Sequence, residues 1–308
     1  MKTNILRVFA LGIALGVSTF FASAQTKEIS HDFSSFDAID VDYDFNVSVI
    51  ESRKDYSVTV VVDDILMEYV QTYVKNHTLY ISLDKKSLPS DIKKLYKGRK
   101  SADPVLNATV YMPSDLASVK LAGSSIFFVS HEIECKDFEL TVLENAKVTK
   151  LTVDAAKFTL NSANKASADI VVYADEIELK TDGNSKINLE QDSEKLVVNA
   201  AGNSDVKIEG EAVETEIKGQ TSANVVINGK TGMLSITTSG GARIDALNYE
   251  TPECEVNMSG NSKVYETASN TLRVTMAGGS TLTYDGSPAF DIINVKNSSI
   301  IRYSDSKK

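Results

Sequence analysis

The 308 residues include no tryptophan, two cysteines, three histidines and five prolines. Each scarcity removes a possibility. Without Trp there is no indole face on which a sugar ring or a nucleobase stacks. Two thiols, Cys135 and Cys254, do not make a disulfide framework even in an oxidising compartment. His31, His77 and His131 are scattered and none lies beyond residue 132, so no imidazole cluster marks a metal site or an acid–base pair. Positive charge is short as well. Thirty-two Lys and Arg against 42 Asp and Glu leave a net charge of −10, poorly suited to gripping phosphate backbones, and no nucleic-acid motif appears. No cofactor motif appears either.

What is present is an ordinary soluble composition, 42% hydrophobic and 24% charged, too apolar for disorder. The start differs from the rest. "MKTNILR" is basic, "VFALGIALGVSTFFA" is apolar, and Ala22-Ser23-Ala24 precedes Gln25, the pattern of a secretory signal peptide over 1–24. The apolar run is shorter than the ~20 residues of a membrane span. No Cys follows the cleavage point to carry a lipid anchor, and no later segment is apolar enough to cross a bilayer. Cleavage removes Lys2 and Arg7 and takes the charge from −10 to −12. The expected location is outside the cytoplasm, periplasmic or at the cell surface.

"DGNSKI", "AGNSDV" and "SGNSKV" stand at 182–187, 201–206 and 259–264. Aligned on their Ser, they extend into a column of small residues: Ser125, Ala146, Ala166, Ser185, Ser204, Ala223, Ala242, Ser262, Ser280 and Ser299. The steps are about 19 residues. Six residues earlier stand Val119, Leu140, Leu160, Leu179, Val198, Ile217, Ile236, Val256, Val274 and Ile293, all aliphatic. Two residues later every position from Phe127 to Ile301 is apolar. Within a unit such as "KLVVNAAGNSDVKI" apolar and polar residues alternate, which is strand periodicity with one face buried.

A unit of ~19 residues is too short for a βαβ step and lacks helical periodicity. The pattern predicts an all-β fold, a parallel β-helix of about ten coils, with right-handed crossovers and columns stacked ~4.8 Å apart. Its rod is about 45 Å long at that spacing. Gly two residues before the small position is expected to make a tight corner, and the Asn or Ser after it to tolerate a left-handed backbone. Residues 105–308 form the repeats; 25–104, outside the register, form a β-rich cap. In "ILMEYVQTYV" a short helix and a strand remain open, and "RYSDSKK" is polar enough to blunt the last rung.

Two stretches invite a site. Lys85, Lys86, Lys93, Lys94, Lys97, Arg99 and Lys100 face one acid, Asp91, over residues 85–100. A solvated mobile loop explains this; a contact for an anionic partner, through Lys93, Lys94, Lys97, Arg99 and Lys100, is the sharper alternative. Asp40, Asp42 and Asp44 in "DVDYD" fall on one strand face, with Ile39, Val41, Tyr43 and Phe45 inward. Straight alternation projects the acids in a row rather than round a Ca²⁺ ion, so no metal is expected.

With "FDAIDVDYDFNVSVIE", "HTLYISL", "VYMPSDLASVKLAGSS" and "VTMAGGSTLTYDGSP" laid out, the chain resembles, over about residues 33–303, a secreted Gram-negative family. That family is described as putative auto-transporter adhesin, head GIN domain. The resemblance implies a single-chain β-helix and brings no catalytic residues. Unlike true autotransporters, these 308 residues hold no membrane-barrel segment. The function expected is a non-enzymatic binding module for a cell-surface glycan or envelope component. Its alternatives are a polysaccharide lyase or hydrolase, and a periplasmic structural or envelope-associated protein.

Overall fold

The computed structural model describes residues 25–96, 103–113 and 115–305; the expected signal peptide, residues 1–24, lies outside them. The chain opens with β1 (Thr26–Phe33), β2 (Ala38–Val41), β3 (Asn46–Glu51) and β4 (Tyr56–Asp63). A 3-10 turn over Asp64–Tyr69 leads to β5 (Val70–Lys75) and β6 (Thr78–Leu83), so "ILMEYVQTYV" is half helical turn and half strand. The short helix α1 (Ser90–Leu95) precedes β7 (Leu106–Met112) and β8 (Ser118–Leu121).

From there the strands are long and bend midway: β9 (Ile126–Val142), β10 (Lys147–Ser162), β11 (Ser167–Thr181), β12 (Lys186–Ala200) and β13 (Asp205–Gly219). They continue as β14 (Asn224–Thr238), β15 (Arg243–Met258) and β16 (Lys263–Met276), and end in β17 (Thr281–Gly286), β18 (Ala289–Val295) and β19 (Ser299–Arg302). Each pairs in parallel with the next coil, giving a β-solenoid of about 10 turns.

The predicted columns are the observed ones. Leu179 pairs with Val198, Val198 with Ile217, and Ile217 with Ile236, all buried. Ala166, Ser185, Ser204 and Ala223 are buried at the corner. Phe138 and Phe158 stack on adjacent rungs, centroids 6.0 Å apart. Parallel pairing brings like against like, so one aliphatic column becomes a continuous interior.

The left-handed residue of the corner sits one place earlier than Asn203 or Asn261. Positive φ falls on Gly123, Gly202 and Gly260, and on Tyr43, Glu144, Asn164 and Thr221 in the same column. The following residue uses its N–H to bond the rung below, as Asn203 does to Gly183 at 2.6 Å.

The last coil is also offset from its expected register. Ile292, not Ile293, pairs with Val274, and Thr281 pairs with Ser299, which makes Ser298 the corner residue. A bulge at Ile293 adds one residue, and the following corner is one residue shorter.

The register reaches back further than 105. β2 and β3 lie in parallel against β8 and β9 on one side and β6 and β7 on the other. Residues 38–51 are therefore a rung, out of chain order. Antiparallel β5 covers β6, β4 covers β7, and β1 adds to β4. Equal spacing along the chain misses a rung reached by a long excursion.

Candidate functional site

Each coil has a second bend, opposite the Gly-Asn-Ser corner, lined by Ala155, Ala174, Ser193, Ala212 and Thr231 on successive rungs. Beyond it Thr251, Ala268 and Gly286 continue the column. Small side chains draw the wall inward here. Gly210 and Gly229, just before this bend, sharpen the draw. A Cβ on Gly210 would lie 1.8 Å from the Gln191 carbonyl oxygen, and one on Gly229 1.9 Å from that of Gly210.

The result is a groove of about 600 Å³ running across β12 to β16. Ala212, Val213, Gly232 and Pro252 line it, with Thr231, Thr251, Thr267 and Ser269. Along one side Asp192, Glu211, Lys230, Glu250 and Thr267 follow one another rung by rung. Strand pairing sets that ladder at ~4.8 Å per step.

The floor is held from beneath by a buried polar layer. The Thr215 hydroxyl and the Tyr249 hydroxyl are 2.8 Å apart, both fully buried. Ser193 donates to Gln191 Oε1 at 2.7 Å, and Gln191 Nε2 donates to the Glu211 carbonyl at 3.1 Å. Thr231 and Thr251 donate to the Met233 and Glu253 carbonyls at 3.1 and 2.9 Å. Satisfied buried networks fix geometry.

Above the floor, Lys230 Nζ lies 2.9 Å from Glu211 Oε2. That hydrogen bond pushes the Lys230 pKa up, so the ammonium stays charged. A second, shallower concavity of about 390 Å³ crosses β10 to β13, with Asn188 donating to Asp169 on its wall.

The sequence-derived candidates lie elsewhere. Lys93 and Lys94 are exposed on α1, beside the first rungs and not at the groove; Lys97, Arg99 and Lys100 lie outside the described residues. The described part of the basic segment is folded. Asp84 accepts from Lys86 N–H at 3.0 Å and the Ser87 hydroxyl at 2.6 Å, and its carboxyl is held below the usual range by Ser87. Leu88 is buried, the Tyr96 hydroxyl donates to Asp63 at 2.7 Å, and Lys85 sits 4.4 Å over the Tyr43 ring. One buried leucine and several polar contacts together fix that path.

Asp40, Asp42 and Asp44 do not share a strand face. Asp42, Tyr43 and Asp44 form a corner, Tyr43 with φ 85°. Asp40 pairs with Lys120, and Asp44 accepts from Ser124 N–H at 3.1 Å. Among the described residues no group of three or more His, Cys, Asp or Glu is gathered as a metal site. The groove itself escaped sequence reasoning because its column mixes Ala, Ser, Thr and Gly and has no motif.

The family described as "Putative auto-transporter adhesin, head GIN domain" matches residues 35–191 and 161–288. The chain belongs to that family. Its coils are also similar to a solved putative adhesin from Parabacteroides distasonis, at 17% identity and TM-score 0.49, covering 91% of this chain and 98% of that one. A solved putative lipid binding protein from the same species is 16% identical, with TM-score 0.48 and coverage of 91% and 97%. A putative adhesin from Bacteroides fragilis is 17% identical, with TM-score 0.34 and coverage of 91% and 98%. No curated protein matches the sequence. Among the described residues no helix is long and apolar enough to cross a membrane.

Proposed function

We propose that the protein is an exported, non-catalytic adhesin-like module that holds an extended, neutral glycan chain of the cell surface in its groove. The observation that carries this reading is the ladder Asp192, Glu211, Lys230, Glu250 and Thr267, one side chain per rung. A sugar chain advances about 5 Å per ring, close to the ~4.8 Å strand spacing, so a glycan laid along the axis meets one donor or acceptor at each ring.

Three carboxylates against one ammonium favour hydroxyl donors and disfavour an anionic polysaccharide. Lys230 is bound to Glu211 and its pKa is raised, opposite to the direction a general base needs. Membership of an adhesin-described family supports a place at the envelope.

A glycan array followed by calorimetry tests the proposal. Binding of at least one neutral glycan is expected, with loss of about tenfold or more in Ala212→Trp, which fills the groove, and a smaller loss in Glu250→Ala. Circular dichroism checks that both variants fold. Binding unchanged in both removes the groove from the function. New reducing ends appearing in the bound glycan would replace the adhesin with a hydrolase or lyase.

A further inference from the structure

The last coil is a cut face of the core. In earlier rungs the aliphatic columns are covered by the next coil; Leu272, Val274 and Met276 are fully buried because β18 lies on them. β18 itself pairs only with β16 among the described residues, and all its side chains are exposed, Ile292 by 55%. Phe290, Ile292 and Val295, which continue those columns, stand open beside a row of unpaired backbone groups. Such a surface has the shape of one rung waiting for another.

We infer that this face pairs with the same face of a second copy of the chain, β18 antiparallel to β18 about a two-fold axis. Charge argues for a copy of this chain. Although the whole carries −10, residues 289–302 hold Asp291 against Lys296 and Arg302, so this is a stretch where two acidic molecules meet without repulsion. The register that sets Ile292 opposite the second copy's Val295 also sets Asp291 opposite the second copy's Lys296, twice by symmetry. In that register Ile292 and Val295 meet apolar partners and the outward charges meet opposite charges, while Phe290 stands opposite the second copy's Asn297.

The opposite end of the rod does not offer the same surface. There the first rung is followed by antiparallel β4 and β5, and the outer strands are β1, with Lys27, Glu28, His31 and Asp32, and β5, with Gln71, Thr72 and Lys75. An apolar edge at one end and charged or polar edges at the other give a closed dimer and no filament.

Light scattering and sedimentation on the full chain test this. A mass twice that of the chain is expected, 33.5 kDa being the chain with residues 1–24 still attached. Ile292→Lys should give monomer. Lys296→Asp, which places Asp against Asp291, should weaken association by about tenfold or more, and the conservative Lys296→Arg should keep it. Asp291 stays in place because Arg273 of its own chain lies 3.0 Å away, and circular dichroism of Lys296→Asp separates a broken interface from a broken fold. A monomer at every concentration, a dimer indifferent to Ile292→Lys and Lys296→Asp, or growth into longer assemblies would each overturn the inference.

Discussion

Lys120 Nζ lies 2.9 Å from the Asp40 carboxylate, across a seam where rungs adjacent in space are 80 residues apart in the chain. The same seam holds Gly123, whose φ is +72° and whose added Cβ would lie 2.6 Å from the Tyr43 carbonyl oxygen. These two contacts should have unequal weight. The ion pair is half exposed, so Lys120→Ala should cost no more than about 1 kcal/mol. Gly123→Ala sets a side chain against fixed backbone in a left-handed conformation and should cost roughly 2–4 kcal/mol. Urea unfolding of both variants decides it; a cost near zero for Gly123→Ala would move residues 38–51 out of the stack.

Ile217 is fully buried and paired with Val198 below and Ile236 above. Ile217→Ala removes methyl groups from a column that cannot collapse, since both neighbours are held by their own ladders. A loss of about 2–5 kcal/mol is expected by chemical denaturation. A loss near zero would mean the column is not packed.

How much of this was legible in the sequence follows from what forces a pattern. Val198 and Ile217 announce themselves because a dry interior demands an aliphatic residue at each pass. The corner is legible because its small residue and positive φ leave few choices. Rung order is not, because parallel pairing between Ile39 and Val119 depends on a path through space that spacing does not record. Ile293 and Ser299 each stand one place past their columns because the last coil takes 18 residues from Ser280 to Ser298, and Ile292-Ile293 and Ser298-Ser299 offer the same residue types side by side. The groove ladder went unread because Asp192 and Lys230 are surface residues that nothing in the core constrains.

Cys135 and Cys254 are both free thiols, half-buried and buried. They sit on β9 and β15, six rungs apart, about 29 Å at the strand spacing. A disulfide needs Cα atoms within about 7 Å, so none forms inside one molecule. Burial pushes both thiols up, Cys254 well up with Glu266 adding, and Cys135 with help from Asp137 and Asp154. Ellman's reagent at pH 8 should label the native protein slowly and the denatured, unreduced protein at two thiols per chain. A count of zero after denaturation would contradict the stack.

Glu266 faces into the core between Ala246 and Tyr284 on the adjoining rungs, fully buried, and neither carboxyl oxygen has a hydrogen-bond partner. Burial is the main reason its pKa rises from 4.5 to about 8; Asp285 adds to the rise and the Cys254 thiol works against it. The folded protein thus keeps a proton that the unfolded chain releases near its ordinary pKa of about 4.3. Between these two values the native state binds more protons than the unfolded state, so stability falls as pH rises. The contribution is complete below the unfolded pKa, declines through the window up to about 8 and is flat above it. A shift of this size corresponds to a few kcal/mol, roughly 3–5 at the full span. Glu266→Gln should remove that slope and be the more stable protein at pH 8. Near pH 5, just above the unfolded pKa, it should gain no more than about 1 kcal/mol, because an amide in that place is as unpartnered as a neutral carboxyl. Urea unfolding of parent and variant at pH 5, 6.5 and 8 isolates the effect from the other carboxylates, which both proteins share. Parallel stability curves would mean that Glu266 is not sealed in the core.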